Sequence, residues 1–208
     1  MGMMKSMAAF GIVLIALLAA AGTVLAQSQP APATTDKTVL IAPPPPPAAR
    51  MSAAECEVWN RERSFAASVE HHDAAAFAEH VHAQAAFDAG SPEPTHGRAA
   101  VVEAWKGIID GKRIKLGWSP GIVTIGGDGN LAISRGPSWI ENPRPDAKQP
   151  DVAKRFRIGE FISTWIKDSD GQWRVLFDGG AAPMHDASAE DVAKLVASLP
   201  KECPQAAK

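Results

Sequence analysis

Near the C-terminal end of this 208-residue chain, two β-rich runs, Arg155 to Lys167 and Gln172 to Asp178, flank the tetrapeptide Asp168-Ser-Asp-Gly171. Phe156, Ile158, Phe161, Ile162, Thr164, Trp165 and Ile166 in the first run, and Trp173, Val175, Leu176 and Phe177 in the second, suit a pleated, half-buried surface. The Asp-Gly step supplies the turn, so the segment predicts an antiparallel hairpin. A hairpin alone is marginal in water and has to be extended by strands or covered by helices. The residues before it supply both.

Beyond Gly111, Ile114, Leu116 and Trp118 alternate, Ile122 to Ile125 continues after Pro120-Gly121, and Gly126-Gly-Asp-Gly-Asn130 turns into Leu131 to Ile140. Upstream the period is helical. From Ser52 to about His71, Val58, Phe65 and Val69 recur at helix spacing, with Trp59 and Ala66 beside them and Glu62 on the same stripe, either pointing inward or snorkelling at its edge. Asp73 can cap a short second helix through Val81. An extended piece, Ala85 to Asp88, follows and breaks at Gly90-Ser-Pro-Glu-Pro94; Gly97 to Ile109 is a third helix. Three helices followed by antiparallel strands predict an α+β domain over residues 51–180, with helices covering one face of a strongly curved antiparallel sheet. The C-terminal segment, 181–208, carries a further helix from Ala189 to Leu199. The loop from Glu141 to Lys154 is long for a hairpin, as a lid or a variable surface loop would be.

Residues 1–26 have the pattern of a secretory signal: Lys5 as the only charge, an apolar run from Met7 to Ala21, and a small-residue end at Ala26. The rival reading is a retained anchor, for which the run is short. Residues 27–50 form a proline-rich linker in which Pro43 to Pro47 predict a stiff polyproline II rod, either a spacer or a docking peptide. Export predicts a periplasmic or secreted protein with no membrane contact once the signal is removed. In that compartment the two cysteines, Cys56 and Cys203, one at each end of the foldable part, are candidates for a disulfide, the alternative being two unrelated thiols. A net charge of −2 provides no positive field to gather phosphate backbones, which argues against nucleic acid as a partner.

Three stretches resemble the NTF2-like superfamily, in its SnoaL-like and DUF4440 branch. They are the long first helix followed by Asp73, the segment Gly97-Arg-Ala-Ala-Val-Val-Glu-Ala-Trp105, and the closing hairpin Gly159 to Asp178 with Trp165 and Trp173 on either side of its Asp-Gly turn. The resemblance covers about residues 52–180. It implies an NTF2-like cone, a bent antiparallel sheet wrapped around a helix, with a deep apolar pocket and frequent homodimers. It does not imply a reaction, because one fold hosts many functions.

Phe87-Asp-Ala-Gly-Ser-Pro-Glu-Pro-Thr-His-Gly97 is similar to the segment of ketosteroid isomerases that carries their general-base Asp, which makes Asp88 a candidate catalytic base and His82 its candidate assistant. Those isomerases use a Tyr as an oxyanion donor, and this chain has no Tyr. The bland reading of Asp88 is a turn residue at a strand end. Strand parity groups Glu160 with Ile158 and Ile162, Arg135 with Ile133 and Trp139, and Asp178 with Leu176, so an inward pair of Arg135 with Glu160 or Asp178 would either present charge to a ligand or neutralise itself. Trp59, Trp105, Trp118, Trp139, Trp165 and Trp173 come from every major element, as core or as stacking surface. The six His lack the His-Glu-x-x-His pattern, and no phosphate loop or serine elbow occurs, so neither a metal nor a cofactor is predicted.

The expectation is an exported domain binding a small apolar or aromatic molecule in its cone, with Trp59, Glu62, Trp105, Trp118, Arg135, Trp139, Glu160 and Asp178 as ligand-binding candidates. The alternatives are an isomerase or dehydratase using Asp88, and a dimeric protein-interaction module.

Overall fold

The structure is a computed structural model that describes residues 50–144 and 155–205. The signal segment, the linker up to residue 49 and residues 145–154 of the long loop lie outside the described residues. The chain divides into two units, Met1–Pro44 and Pro45–Lys208, and the elements below belong to the second.

Helix α1 spans Ala53–Glu70. Ser52 starts it with a reciprocal cap: its hydroxyl accepts from Glu55 N, and the Glu55 carboxylate accepts from Ser52 N. Val58, Trp59, Glu62, Phe65, Ala66 and Val69 form its buried stripe. His72, at φ 59°, turns the chain out of the helix. Asp73 then accepts from Ala75 N and Ala76 N to cap α2, Ala74–His80. Helix α3, Arg98–Ile109, begins after Gly97, whose φ of 84° only glycine adopts without strain.

The strands are β1 (Val81–Phe87), β2 (Thr95–His96), β3 (Lys115–Trp118), β4 (Ile122–Gly126), β5 (Leu131–Glu141), β6 (Phe156–Lys167) and β7 (Trp173–Ala187); α4, Ala189–Ser198, follows. They form one sheet in the order β2-β1-β7-β6-β5-β3, with β4 also paired to β5. Four helices pack against this strongly curled sheet, a half-barrel of α+β architecture as the NTF2-like resemblance implies. The expected closing hairpin is β6–β7.

The sheet is mixed rather than wholly antiparallel, because β1 runs parallel to β7. Everything from α3 to β6 intervenes between those two strands, so no tight turn dictates their sense. Strand β7 also runs on to Ala187, past the predicted end at Asp178. Gly179-Gly-Ala-Ala carries no alternating pattern, and β6 holds it through a ladder with register shifts around Glu160. Gly136 faces the break between β3 and β4: a Cβ there would run into the Ser119 carbonyl and Gly121 N.

On β6 the residues that face the helices are Phe161, Ser163 and Trp165, and on β5 they are Ala132, Ser134, Ser138 and Ile140. The opposite set, with Glu160, Ile162 and Thr164 on β6 and Leu131, Ile133 and Arg135 on β5, lies outside. Arg135 and Glu160 therefore form an exposed ion pair on the outer face, not an inward one. The face with more aliphatic residues is the exposed face, because the inner face has to supply hydroxyls and indoles to a buried glutamate.

Rings fill the space between sheet and helices. Phe65 packs against Phe77, Trp118, Trp165 and Phe87, with centroids 5.0 to 6.4 Å away. Trp105 lies 5.3 Å from Phe77 and 5.4 Å from Phe87. This cluster occupies the centre where a deep pocket was expected; grooves of about 800 and 830 Å³ lie to the side, one beside the start of α3 and one beside α4. Cys56 and Cys203 are bonded, closing a separation of 147 residues, with Cα atoms 5.6 Å apart. Beside them Met51 N donates to Pro204 O at 2.8 Å, which pins the tail to the start of α1. Among the described residues no helix is long and apolar enough to cross a membrane.

Candidate functional site

A groove of about 830 Å³ lies between α1, the rim of the sheet and α4. Small-molecule sites commonly measure roughly 300–1,000 Å³. The sheet rim contributes Leu116, Trp118, Trp139 and Phe156, and α1 contributes Arg63 and Val69. Trp139 lies against β3 because Gly117, its cross-strand partner, has no side chain: a Cβ there would collide with the indole. Helix α4 supplies Val192 and Val196, with Leu199 just past its end. It is strongly amphipathic and reciprocally capped by Ser188 and Asp191, yet none of its residues is fully buried. Its apolar face borders the groove instead of closing a core.

Beneath the groove wall sits Glu62, with no exposed surface. Trp118 Nε1 donates to its Oε1 and Trp165 Nε1 to its Oε2, both at 2.7 Å, and the Ser163 hydroxyl donates to Oε2 as well. No ion pair reaches this carboxylate among the described residues. Burial pushes its pKa up, and the three donors work against that shift. Ser134, directly across from Ser163 on β5, adds a buried hydroxyl with no hydrogen-bond partner among the described residues. Asp178, cross-strand from Ser163, is half-buried overall, but its carboxyl is enclosed by protein atoms. Burial, and then the negative charges of Glu62 and Asp88, raise its pKa well above the ordinary range.

Glu62 acts on the groove through Trp118, whose indole lines the groove while its N–H is tied to the carboxylate behind it. The hydrogen bond fixes the plane of that wall. Trp118 and Trp139 are the two expected ligand-binding residues that the groove brings together. Trp59 is core, its indole N–H donating to Pro120 O at 3.0 Å, and Trp105 belongs to the ring cluster. Arg135 and Glu160 are on the outer face, and Asp178 does not line the groove. Asp88 is exposed at the end of β1 with φ 54°, the geometry of a turn residue. His82, on β1, lies 3.9 Å from Asp168 and accepts from Gln84 N at 3.1 Å. Neither Asp88 nor His82 lines the groove. Among the described residues no cluster of His, Cys, Asp or Glu could hold a metal ion.

Sequence reasoning passed over Arg63, Phe156 and the α4 face as site residues. The apolar period of α4 was visible, but nothing local said that the helix folds back along the rim.

No protein-family model matches the chain, and no curated protein matches it. Among solved structures it is similar to an NTF2-like superfamily protein from Salmonella enterica serovar Typhimurium: 16% identity over 66% of this chain and 96% of that one, TM-score 0.49. An NTF2-like protein of unknown function from Pseudomonas putida gives 15% identity, 65% and 90% coverage and a TM-score of 0.49. A putative ketosteroid isomerase from Shewanella frigidimarina gives 15%, 63% and 99%, and 0.47. At these values the likenesses concern the fold and say nothing of an activity.

Proposed function

We propose that this domain is an exported binding protein that takes a small apolar or aromatic molecule in the groove between α1, the sheet rim and α4. The observation that carries this reading is the groove itself, which has the volume of a ligand site and is lined by the Trp139 indole and by Val192 and Val196 of α4, a helix with no buried residue. The apolar N-terminal run, Met7 to Ala21, supports export. The isomerase alternative draws no support from this groove, since its candidate base, Asp88, is exposed and does not line it.

The neutral dye N-phenyl-1-naphthylamine tests the site. Its fluorescence is expected to rise on binding with one dye per chain, and Trp139→Ala is expected to weaken binding roughly tenfold through loss of aromatic contact. Unchanged dye affinity in a folded Trp139→Ala protein would place the ligand elsewhere.

A further inference from the structure

The groove's charged groups are unequally matched. Glu141 is held by Lys115 at 3.0 Å and by Arg155 at 2.7 Å, and Asp110 is held by Lys112 at 3.0 Å. Arg63 has no such partner. It follows Glu62 on α1, so while Glu62 turns inward its neighbour reaches the groove, half-buried. Its one polar contact is the Ser119 hydroxyl at 3.5 Å, and no carboxylate of the described residues lies within ion-pair distance. Glu70 and Lys201, the remaining ions at the rim, are exposed to water. Most of the five Arg63 N–H donors meet no acceptor among the described residues and stand open to whatever occupies the groove.

We infer that the ligand is an amphiphilic monocarboxylic acid whose carboxylate pairs with Arg63 while its apolar body lies against Trp139, Phe156 and the α4 face. This identification of the ligand class rests on the groove being the binding site. The planar fork of arginine matches a carboxylate through two parallel N–H···O bonds, which a lone lysine at the rim cannot offer. One cation suits one negative charge. A phosphate would bring a second charge toward Glu70 and Glu141, which line the same groove.

The test displaces N-phenyl-1-naphthylamine from the full-length mature protein with dodecanoic acid and, separately, with 1-dodecanol, which has the same chain and a neutral head. Dodecanoate is expected to compete at roughly tenfold lower concentration or better, the yield of a charge-assisted hydrogen bond. In Arg63→Gln the ratio of the two competing concentrations should fall to about one, and Arg63→Lys should restore part of the preference. Equal competition by acid and alcohol, or a preference that survives Arg63→Gln, would overturn the inference while leaving the groove as a neutral apolar site. Failure of the dye to bind at all would overturn the underlying proposal and this one with it.

Discussion

At the scale of single residues, Glu62 couples the core to the groove. Three neutral donors converge on it from β3 and β6, and its own helix carries it there. Buried carboxylates are usually offset by a cation. Here two indole N–H groups and a hydroxyl take that role, which a phenylalanine at either tryptophan position could not fill. Glu62→Ala would take the acceptor from the Trp118 N–H and the Ser163 hydroxyl, leave Trp165 only its 3.0 Å bond to Ser163 Oγ, and open a cavity, so we expect a loss of about 3 kcal/mol in urea unfolding, with weakened dye binding as Trp118 loses its anchor. A variant as stable as the parent would mean that Trp118 is held by packing alone. The identity of Glu62 as an inward residue was half-legible: its place on the apolar stripe was plain, but the same spacing fits a snorkelling edge residue. Arg63 was not legible as a site residue, since a charged residue on a helix edge is ordinarily solvated.

At the scale of elements, α4 is the piece that makes the groove and the piece least held by packing. It ends in a tail stapled to α1 by Cys56–Cys203 and by the hydrogen bond from Met51 to Pro204. Closing a loop of 147 residues is worth up to about 5 kcal/mol in the chain-entropy model. Cys203→Ser is expected to lower stability by several kcal/mol in urea and to expose α4 to limited proteolysis before the rest of the domain unfolds. Cleavage spread evenly over the domain would show that α4 does not detach first. The helices and most strands were readable because each has a local cause; β2 was not, and β1 begins at Val81, four residues before the expected Ala85. Ser52 and Asp73 cap α1 and α2, Gly97 starts α3, and the Asp-Gly turn joins β6 to β7. The far half of β7 was not readable, because only its pairing with β6 makes Gly179 to Ala187 a strand.

At the scale of the whole molecule, the outer face of the sheet carries most of the large apolar side chains that are exposed among the described residues. Ile122 and Ile162 flank Arg135 across one row, and Ile133 and Phe177 flank Thr164 across the next. Ile133 is 49% exposed and Phe177 44%. Contiguous patches of this kind mark association surfaces, and we propose that two copies of the chain meet there as a symmetric homodimer. Sedimentation equilibrium should give twice the chain mass, and Ile133→Glu together with Ile162→Glu should give a monomer that still binds the dye; a parent that is monomeric at tens of micromolar would refute the dimer. By itself the sequence determined the order of elements, the class of architecture and the pair of cysteines, because helical period, strand alternation, caps and turns are properties of neighbouring residues. Only the tertiary structure decided which strand face is interior, that β1 lies parallel to β7, that rings fill the centre and that the cavity opens beside α4. Those outcomes depend on partners such as Glu62 with Trp118 and Ser163, 56 and 101 positions apart, and the free energy of satisfying a buried carboxylate outweighs the local preference of an isoleucine-rich face for the inside.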